Sequence, residues 1–408
     1  MTSVLLVSVA FVAAIVGVGG LLQYKANQAR AGRWREGAKA VGMTEVVEER
    51  AFLGFFKGLK GHVGDLRIHI EDYGSGRQVS GARVLIAGLG HASPWESPSR
   101  VPLPGLASEG SPSRFHLRAE GVGSTLAKAL GDRELETGDE RFDKVAYIQG
   151  SPPTVLAVLD AETRRRLMGL LQGEVETGGA ADVLKARVAV VDGTLQADLS
   201  EQPTRPAAGR LLGAVSQLIE VARRLTSPDD IPERLARNVL GDAVPGVRLA
   251  NLVALTRFDL DKDGIREVLR AACRDDDAEV RLRAAMALGE EARDVLMETA
   301  LGPEDPPVSQ FRDAATDSRA ARAIEALGTF LSASEAGEIL RRSLDGIRLD
   351  AAGAAIDVLG RTGGDDAVPP LCMALENDHP DVACAAAQAL GVTGWRGRRD
   401  LADRRVGA

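Results

Sequence analysis

The spacing of apolar positions changes character several times along the chain. From Val4 to Leu22, 19 residues run with scarcely a polar side chain. A helix rises about 1.5 Å per residue, so about 20 residues cross a hydrocarbon core of about 30 Å. A lone segment satisfies its backbone in lipid only as a helix, so the run predicts a transmembrane helix over 3–23. A basic linker follows over 24–42, and beyond it the period falls to two. Leu66-Arg67-Ile68-His69-Ile70 and Arg83-Val84-Leu85-Ile86-Ala87 alternate on either side of the turn residues Tyr73–Arg77, which predicts a hairpin. Residues 89–114 are rich in Ser, Pro and Gly and read as an exposed loop. Short strands are expected over 115–118 and 144–148, and the spacing of Leu156, Leu159, Leu167, Leu170 and Leu171 predicts a helix over 155–171. Asp192-Gly193 between two alternating runs is the signal of a two-residue hairpin, with Leu195, Ala197 and Leu199 on one face. An amphipathic helix over 207–225 gathers Leu211, Leu212, Val215, Leu218, Ile219 and Ala222 on one side. These elements make one α+β domain over 43–226.

From 227 to 394 the dominant pattern is repetition. Val247–Leu255 aligns with Val280–Leu288, and the closing leucines Leu255, Leu288, Leu327, Leu359 and Leu390 stand 33, 39, 32 and 31 residues apart. A helical period of this length predicts an α-solenoid of about five units. Each unit opens with a helix such as Ile265–Leu269, turns through acidic residues such as Asp275-Asp276-Asp277, and closes with an alanine-rich helix. Glycine after the closing leucine suits a helix C-terminus, and Pro380-Asp381 suits a helix start. The segment Asp276–Gly289 resembles the second helix of HEAT repeats, in the short bacterial form of phycobilin-lyase-like proteins. Pro380–Gly391 follows the same pattern, with Ala383 where an arginine is usual. The unit ending at Leu327 is interrupted by Pro303-Glu304-Asp305-Pro306-Pro307. The resemblance implies an extended protein-binding surface. It carries no lyase chemistry across, because function does not follow from fold-level analogy. The tail 395–408 is basic and has lost the pattern.

A second resemblance is shorter. Glu136-Thr137-Gly138-Asp139-Glu140-Arg141-Phe142-Asp143, followed by a strand and a leucine-rich helix with Arg164–Arg166, resembles a domain of bacterial membrane-anchored proteins of unassigned activity. It covers residues 60–225 and implies no reaction.

Composition removes several classes. The 408 residues are 26% charged and 45% hydrophobic, as in globular proteins, which speaks against wholesale disorder. Mean hydropathy of −0.06 excludes a multi-span membrane protein, and a pI near 5.4 with net charge −8 argues against nucleic acid as a partner. The average conceals an uneven distribution. Residues 1–22 carry no side-chain charge, 23–40 carry +4, and the remaining 368 sum to −12. Lys25, Arg30, Arg33, Arg35 and Lys39 all follow the apolar run, with none before it. This flank is wrong for a cleaved signal and, by the positive-inside rule, places the bulk of the chain in the cytoplasm. It also puts Tyr24 and Trp34 within reach of the membrane interface. Three cysteines, Cys273, Cys372 and Cys384, are too few for a disulfide scaffold and suit a reducing compartment.

Candidate chemistry is sparse. Asp139 and Asp143 lie four apart, but Gly138-Asp139 is turn chemistry and no nucleophile stands beside them. His62, His69, His91, His116 and His379 show no metal-ligand spacing. Gly121-Val122-Gly123-Ser124-Thr125 lacks both the third glycine of a dinucleotide fingerprint and the lysine of a P-loop. Asp259, Asp261, Asp263 and Gly264 match the start of an EF-hand loop, yet position twelve is Arg270 and position eight Arg266, so the bidentate ligand is missing. Asp263 reads instead as a helix cap, and Asp277 with Arg281 as structural pairing at a helix start. No catalytic, cofactor-binding or metal-ligating residue is assigned, and no cofactor is implied. The expected protein is a single-pass, membrane-anchored, non-enzymatic scaffold or adaptor that binds an unknown protein partner through its solenoid. The alternative is a ligand sensor or enzyme in the α+β domain, with the solenoid as recognition arm.

Overall fold

The computed structural model describes residues 21–22, 24–51, 55–72, 80–88, 116–119, 135–172, 184–191, 194–201, 208–225, 231–260, 264–302 and 314–392. The chain divides into two compact units, Met1–Ala254 and Leu255–Ala408. The sequence places a boundary at 226/227; the division between compact units comes later, after two further helices.

The first unit is built on an eight-stranded sheet whose described pairings are all antiparallel. In chain order the strands are β1 (Thr44–Arg50), β2 (Phe56–Val63), β3 (Leu66–Asp72), β4 (Ser80–Gly88), β5 (His116–Ala119), β6 (Ala146–Gln149), β7 (Leu184–Val191) and β8 (Thr194–Glu201). Across the sheet the order is β1-β2-β3-β4-β8-β7-β5-β6. The two predicted hairpins are present. β3 pairs with β4 from Leu66↔Gly88 to Asp72↔Ala82, and β7 with β8 down to Val191↔Thr194, which leaves the two-residue Asp192-Gly193 connection. One face carries the core: Leu66, Ile68 and Ile70 on β3, Val84 and Ile86 on β4, and Leu195, Ala197 and Leu199 on β8 are all buried. The predicted amphipathic helix, here α5 (Ala208–Leu225), buries Val215, Leu218, Ile219 and Ala222 in the same core. Each such side chain contributes about 1.5–3 kcal/mol by leaving water.

The helix expected over 155–171 is two helices, α3 (Pro152–Val158) and α4 (Ala161–Gln172). Leu159 leaves helical geometry at ψ 57°, and the Asp160 carboxylate accepts the Thr163 amide at 2.7 Å, starting the second helix. The 89–114 loop and the glycine-rich turn at 121–125 lie outside the described residues.

The largest correction is at the N-terminus. Among the described residues no helix is long and apolar enough to cross a membrane. The transmembrane helix expected over 3–23 falls almost wholly outside the described residues, where only 21–22 are included. What is described next, the expected basic linker, is helix α1 (24–40), and it belongs to the sheet domain. Ala31, Trp34 and Ala38 form its buried stripe, and Trp34 is 6% exposed, in the core rather than at a lipid interface. Trp34 Nε1 donates to Asp72 at 2.8 Å, Arg30 pairs with the same carboxylate, and Arg35 reaches Glu48 at 2.5 Å. The basic residues read as a membrane collar are thus partly spent on the protein's own acids. The single-pass membrane localisation, the membrane partner and the cytoplasmic orientation drawn from that collar are not supported.

The second unit is all helical among its described residues. Its helix pairs are α8/α9 (Ile265–Ala272, Ala278–Leu288), α10/α11 (Arg293–Leu301, Ala314–Leu327), α12/α13 (Ala333–Asp345, Leu349–Thr362) and α14/α15 (Val368–Leu375, Pro380–Val392). The second helices pack in sequence, α9 on α11, α11 on α13 and α13 on α15, as repeat stacking requires. Alanines make this possible: Ala284, Ala285, Ala320, Ala323, Ala351, Ala352 and Ala355 are fully buried. Gly289 ends α9 after Leu288 as expected, whereas α13 runs past Leu359-Gly360 to Thr362 and ends at Gly363. A preceding pair, α6/α7 (Ile231–Gly241, Pro245–Leu255), lies essentially in the first unit.

Candidate functional site

The acidic element 138–143 is the first place to look for chemistry. Asp139 caps the short helix α2 (Glu140–Asp143), accepting the Arg141 and Phe142 amides at 3.2 and 3.4 Å. Asp143 accepts the Thr137 amide, the Thr137 hydroxyl at 2.7 Å and the Gly138 amide at 3.0 Å. The two carboxylates therefore face different partners and do not form an acid–base pair. Arg164 on α4 completes the arrangement. Its Nε donates to Asp139 at 3.1 Å, its Nη1 to the Leu159 carbonyl at 2.7 Å, and its Nη2 to both oxygens of Asp242 at 3.0–3.1 Å. Arg164 and Asp242 are almost fully buried, with side chains 3% and 1% exposed. Gly138 has φ +86°, and a Cβ on it would lie 2.3 Å from the Gly246 carbonyl carbon at the start of α7. Asn238 on α6 donates to the Leu156 carbonyl at 3.0 Å and to Asn251 at 3.2 Å. The element is a polar clamp that fixes α6/α7 against the sheet domain. The Asp139, Asp143 and Asp242 carboxylates and the Arg164 guanidinium are all engaged in these contacts.

A second cluster was invisible in the sequence. Glu49 on β1, His69 on β3 and Glu71 on β3 present ligand atoms that all lie within 4.8 Å of one another. His69 Nε2 is 2.8 Å from Glu49 Oε2 and 3.9 Å from Glu71 Oε1. Lys60 holds the other Glu49 oxygen at 2.5 Å, and Lys57 lies 3.6 Å from Glu71. Burial raises the Glu49 carboxyl, but hydrogen bonds from Lys60 and His69 outweigh it and hold the group below the usual carboxylate range. The only signal in the sequence was alternation: residues 69 and 71 share a strand face, but Glu49 reaches them through a register that no local pattern encodes.

The remaining candidates separate clearly. Asp261 and Asp263 of the EF-hand-like stretch lie outside the described residues. The helix after it starts on Gly264 in the left-handed region, and the cap expected of Asp263 falls outside the described residues. Asp277 caps α9, and the Arg281 side chain donates to the Asp275 and Asp276 carbonyls, so both are structural, joined by the Arg281 amide to the Asp277 carbonyl rather than by an ion pair. Burial, and after it the nearby Glu291, push the Cys273 thiol up. A shallow concavity of about 240 Å³ lined by Val41, Arg166, Ser216, Glu220 and Arg223 carries arginines already paired within their own helices.

In the second unit the polar contacts run from repeat to repeat. Arg322 on α11 holds Glu279 on α9 at 2.5–2.7 Å, and Arg293 on α10 holds Glu335 on α12 at 2.5 Å. Asp317 on α11 accepts the Asp350 and Ala351 amides at the start of α13, both at 3.0 Å. Arg348 donates to the last carbonyls of α10, those of Ala300 and Leu301. What remains on the surface is apolar in places: Phe330, Ile347, Met373 and Leu375 are 41%, 48%, 39% and 44% exposed.

Residues 351–377, which take in all but the first two residues of α13 and the whole of α14, match the family model described as PBS lyase HEAT-like repeat. No curated protein and no solved structure matches the chain. The matched residues lie outside 60–225, so the resemblance expected for the middle region finds no support. The HEAT-like reading of the helical region is supported by that match, over residues 351–377.

Proposed function

We propose that this protein is a non-enzymatic scaffold or adaptor that binds a protein partner through its HEAT-like helix pairs. The observation that carries this reading is the coincidence of the HEAT-like match at 351–377 with exposed apolar side chains on the same helix, Met373 and Leu375. Stacked repeats satisfy their polar groups internally, through contacts such as Arg348 to α10 and Asp317 to α13, and leave side chains of the outer faces for recognition. Large apolar groups at such exposure are the usual anchors of protein interfaces. The alternative, an enzyme seated in the Gly138–Asp143 element, loses its basis because those carboxylates are engaged in holding the fold.

The test is quantitative capture from native extract with the full chain and with Met373→Asp/Leu375→Asp. A specific partner recovered by the wild type and lost by the double variant, with unchanged circular dichroism, supports the proposal. A partner retained at full yield by the double variant removes these residues from the interface.

A further inference from the structure

We propose that Glu49, His69 and Glu71 form a binding site for a divalent transition-metal ion, with zinc the best match. The proposal starts from register. Glu49 stands opposite Gly58, and Gly58 stands opposite Glu71, so both glutamates flank a position that has no side chain. A Cβ at residue 58 would lie 2.2 Å from the Ile70 carbonyl oxygen, so the strand pairing itself keeps that position a glycine. Over this gap the two carboxylates converge on one imidazole. His69 is 7% exposed, and its Nε2 lies between the carboxylates rather than towards solvent.

The distances suit a small borderline ion. Ligands at about 2.0–2.1 Å in tetrahedral array stand about 3.3 Å from one another. The observed 2.8 and 3.9 Å from Nε2 to the two carboxylate oxygens bracket that value, so rotation of the glutamate ends is enough to close the set. An imidazole with two carboxylates selects zinc and its neighbours over magnesium or calcium, which prefer all-oxygen sets. Three protein ligands leave a fourth position for water.

The proton balance is simple. A carboxylate only accepts, so in the unloaded site it is His69 Nε2 that donates to Glu49. Its Nδ1 is buried without a hydrogen-bond partner among the described residues. Metal at Nε2 takes the place of that proton, and the bound imidazole carries its N–H on Nδ1. The N–H left unpaired at Nδ1 works against binding, as does Lys60, which neutralises Glu49 from its other oxygen. The site is therefore an exchangeable one rather than a closed structural centre.

The experiment uses the full chain, stripped with chelator and titrated with zinc chloride alone by calorimetry, with bound metal counted by elemental analysis. The expected result is one ion per chain, with affinity reduced at least tenfold in His69→Gln and in Glu71→Gln, and unchanged in His62→Ala. Lys60→Ala is expected to bind several-fold more tightly, because it removes the competing cation; adventitious surface binding has no reason to respond that way. Circular dichroism and thermal melting confirm that each variant is folded, and Glu71→Gln, at a partly exposed position, keeps the test valid if His69→Gln is unstable. No saturable uptake by the wild type overturns the proposal. Equal affinity in His69→Gln and Glu71→Gln overturns it as well.

Discussion

The two units hold themselves together in opposite ways. The first is a sheet whose partners are remote in sequence: β4 pairs with β8 across more than a hundred residues, and Arg164 reaches Asp242 78 residues away. Its decisive polar contacts are buried and singular. The second unit repeats one local motif. Its helices meet their sequence neighbours, its core is alanine and leucine, and its ion pairs, such as Arg322 to Glu279, are partly exposed and recur in kind from pair to pair. A fold of the first type fails when one contact is removed; a fold of the second type loses one joint at a time. The difference also bears on function. A surface assembled from repeated joints is a natural place for a partner to dock, while the charged groups of the clamp in the first unit are engaged with one another and with the backbone around them.

The sharpest way to break this comparison is Arg164→Ala. It leaves the Asp242 carboxylate buried and without its cation, a loss of about 3–5 kcal/mol. Urea unfolding should show the first unit's transition move far down while the helical unit's remains in place. A change below about 1 kcal/mol would show that the clamp is ornamental.

Leu359→Ala comes next. It removes a fully buried side chain from α13 at a cost of about 2–5 kcal/mol. Hydrogen exchange should place the damage in α13 and the helices packed on it, with the sheet protected as before. Gly138→Ala follows at about 1–3 kcal/mol, since it forces a side chain into left-handed backbone and against Gly246; thermal melting reads it. Asp317→Ala uncaps α13 and should cost about 1 kcal/mol by denaturant unfolding.

The smallest effect is pH-dependent. Hydrogen bonds from the Ser332 backbone and from Arg293 lower Glu335 to about 2. Its folded value lies below its unfolded one, so the stabilisation is complete above the unfolded carboxylate value of about 4.3. It is lost as pH falls towards about 2. The helical unit should therefore soften in that acid window, and Glu335→Gln should flatten part of the dependence. The side chain is 37% exposed, so the change is modest.

The helical unit was the more legible of the two, for the same reason that it is built of local contacts. Repeated leucines and alanine runs report each helix within its own residues. In the sheet, alternation revealed β3, β4 and the β7–β8 hairpin. The edge pair escaped notice: Thr44–Arg50 is too charged, and Phe56–Val63 too rich in glycine, to read as strands. Gly58 is there because a neighbouring backbone passes close, which is information about β3 and not about β2. Helix α1 was misread for a different reason. Its basic residues dominate the composition, while its buried stripe consists of Ala31, Trp34 and Ala38, two of them too small to register as hydrophobic signal. The cluster at Glu49 depends on strand register, and the clamp at Arg164 on long-range packing; neither is written in any local spacing.

The most direct test of the central claim is cross-linking mass spectrometry on the full chain with its captured partner. The account predicts cross-links from the partner to residues 314–392, including α14, and their loss with Met373→Asp/Leu375→Asp. Cross-links confined to the sheet strands of residues 44–201, unaffected by that double substitution, would contradict it.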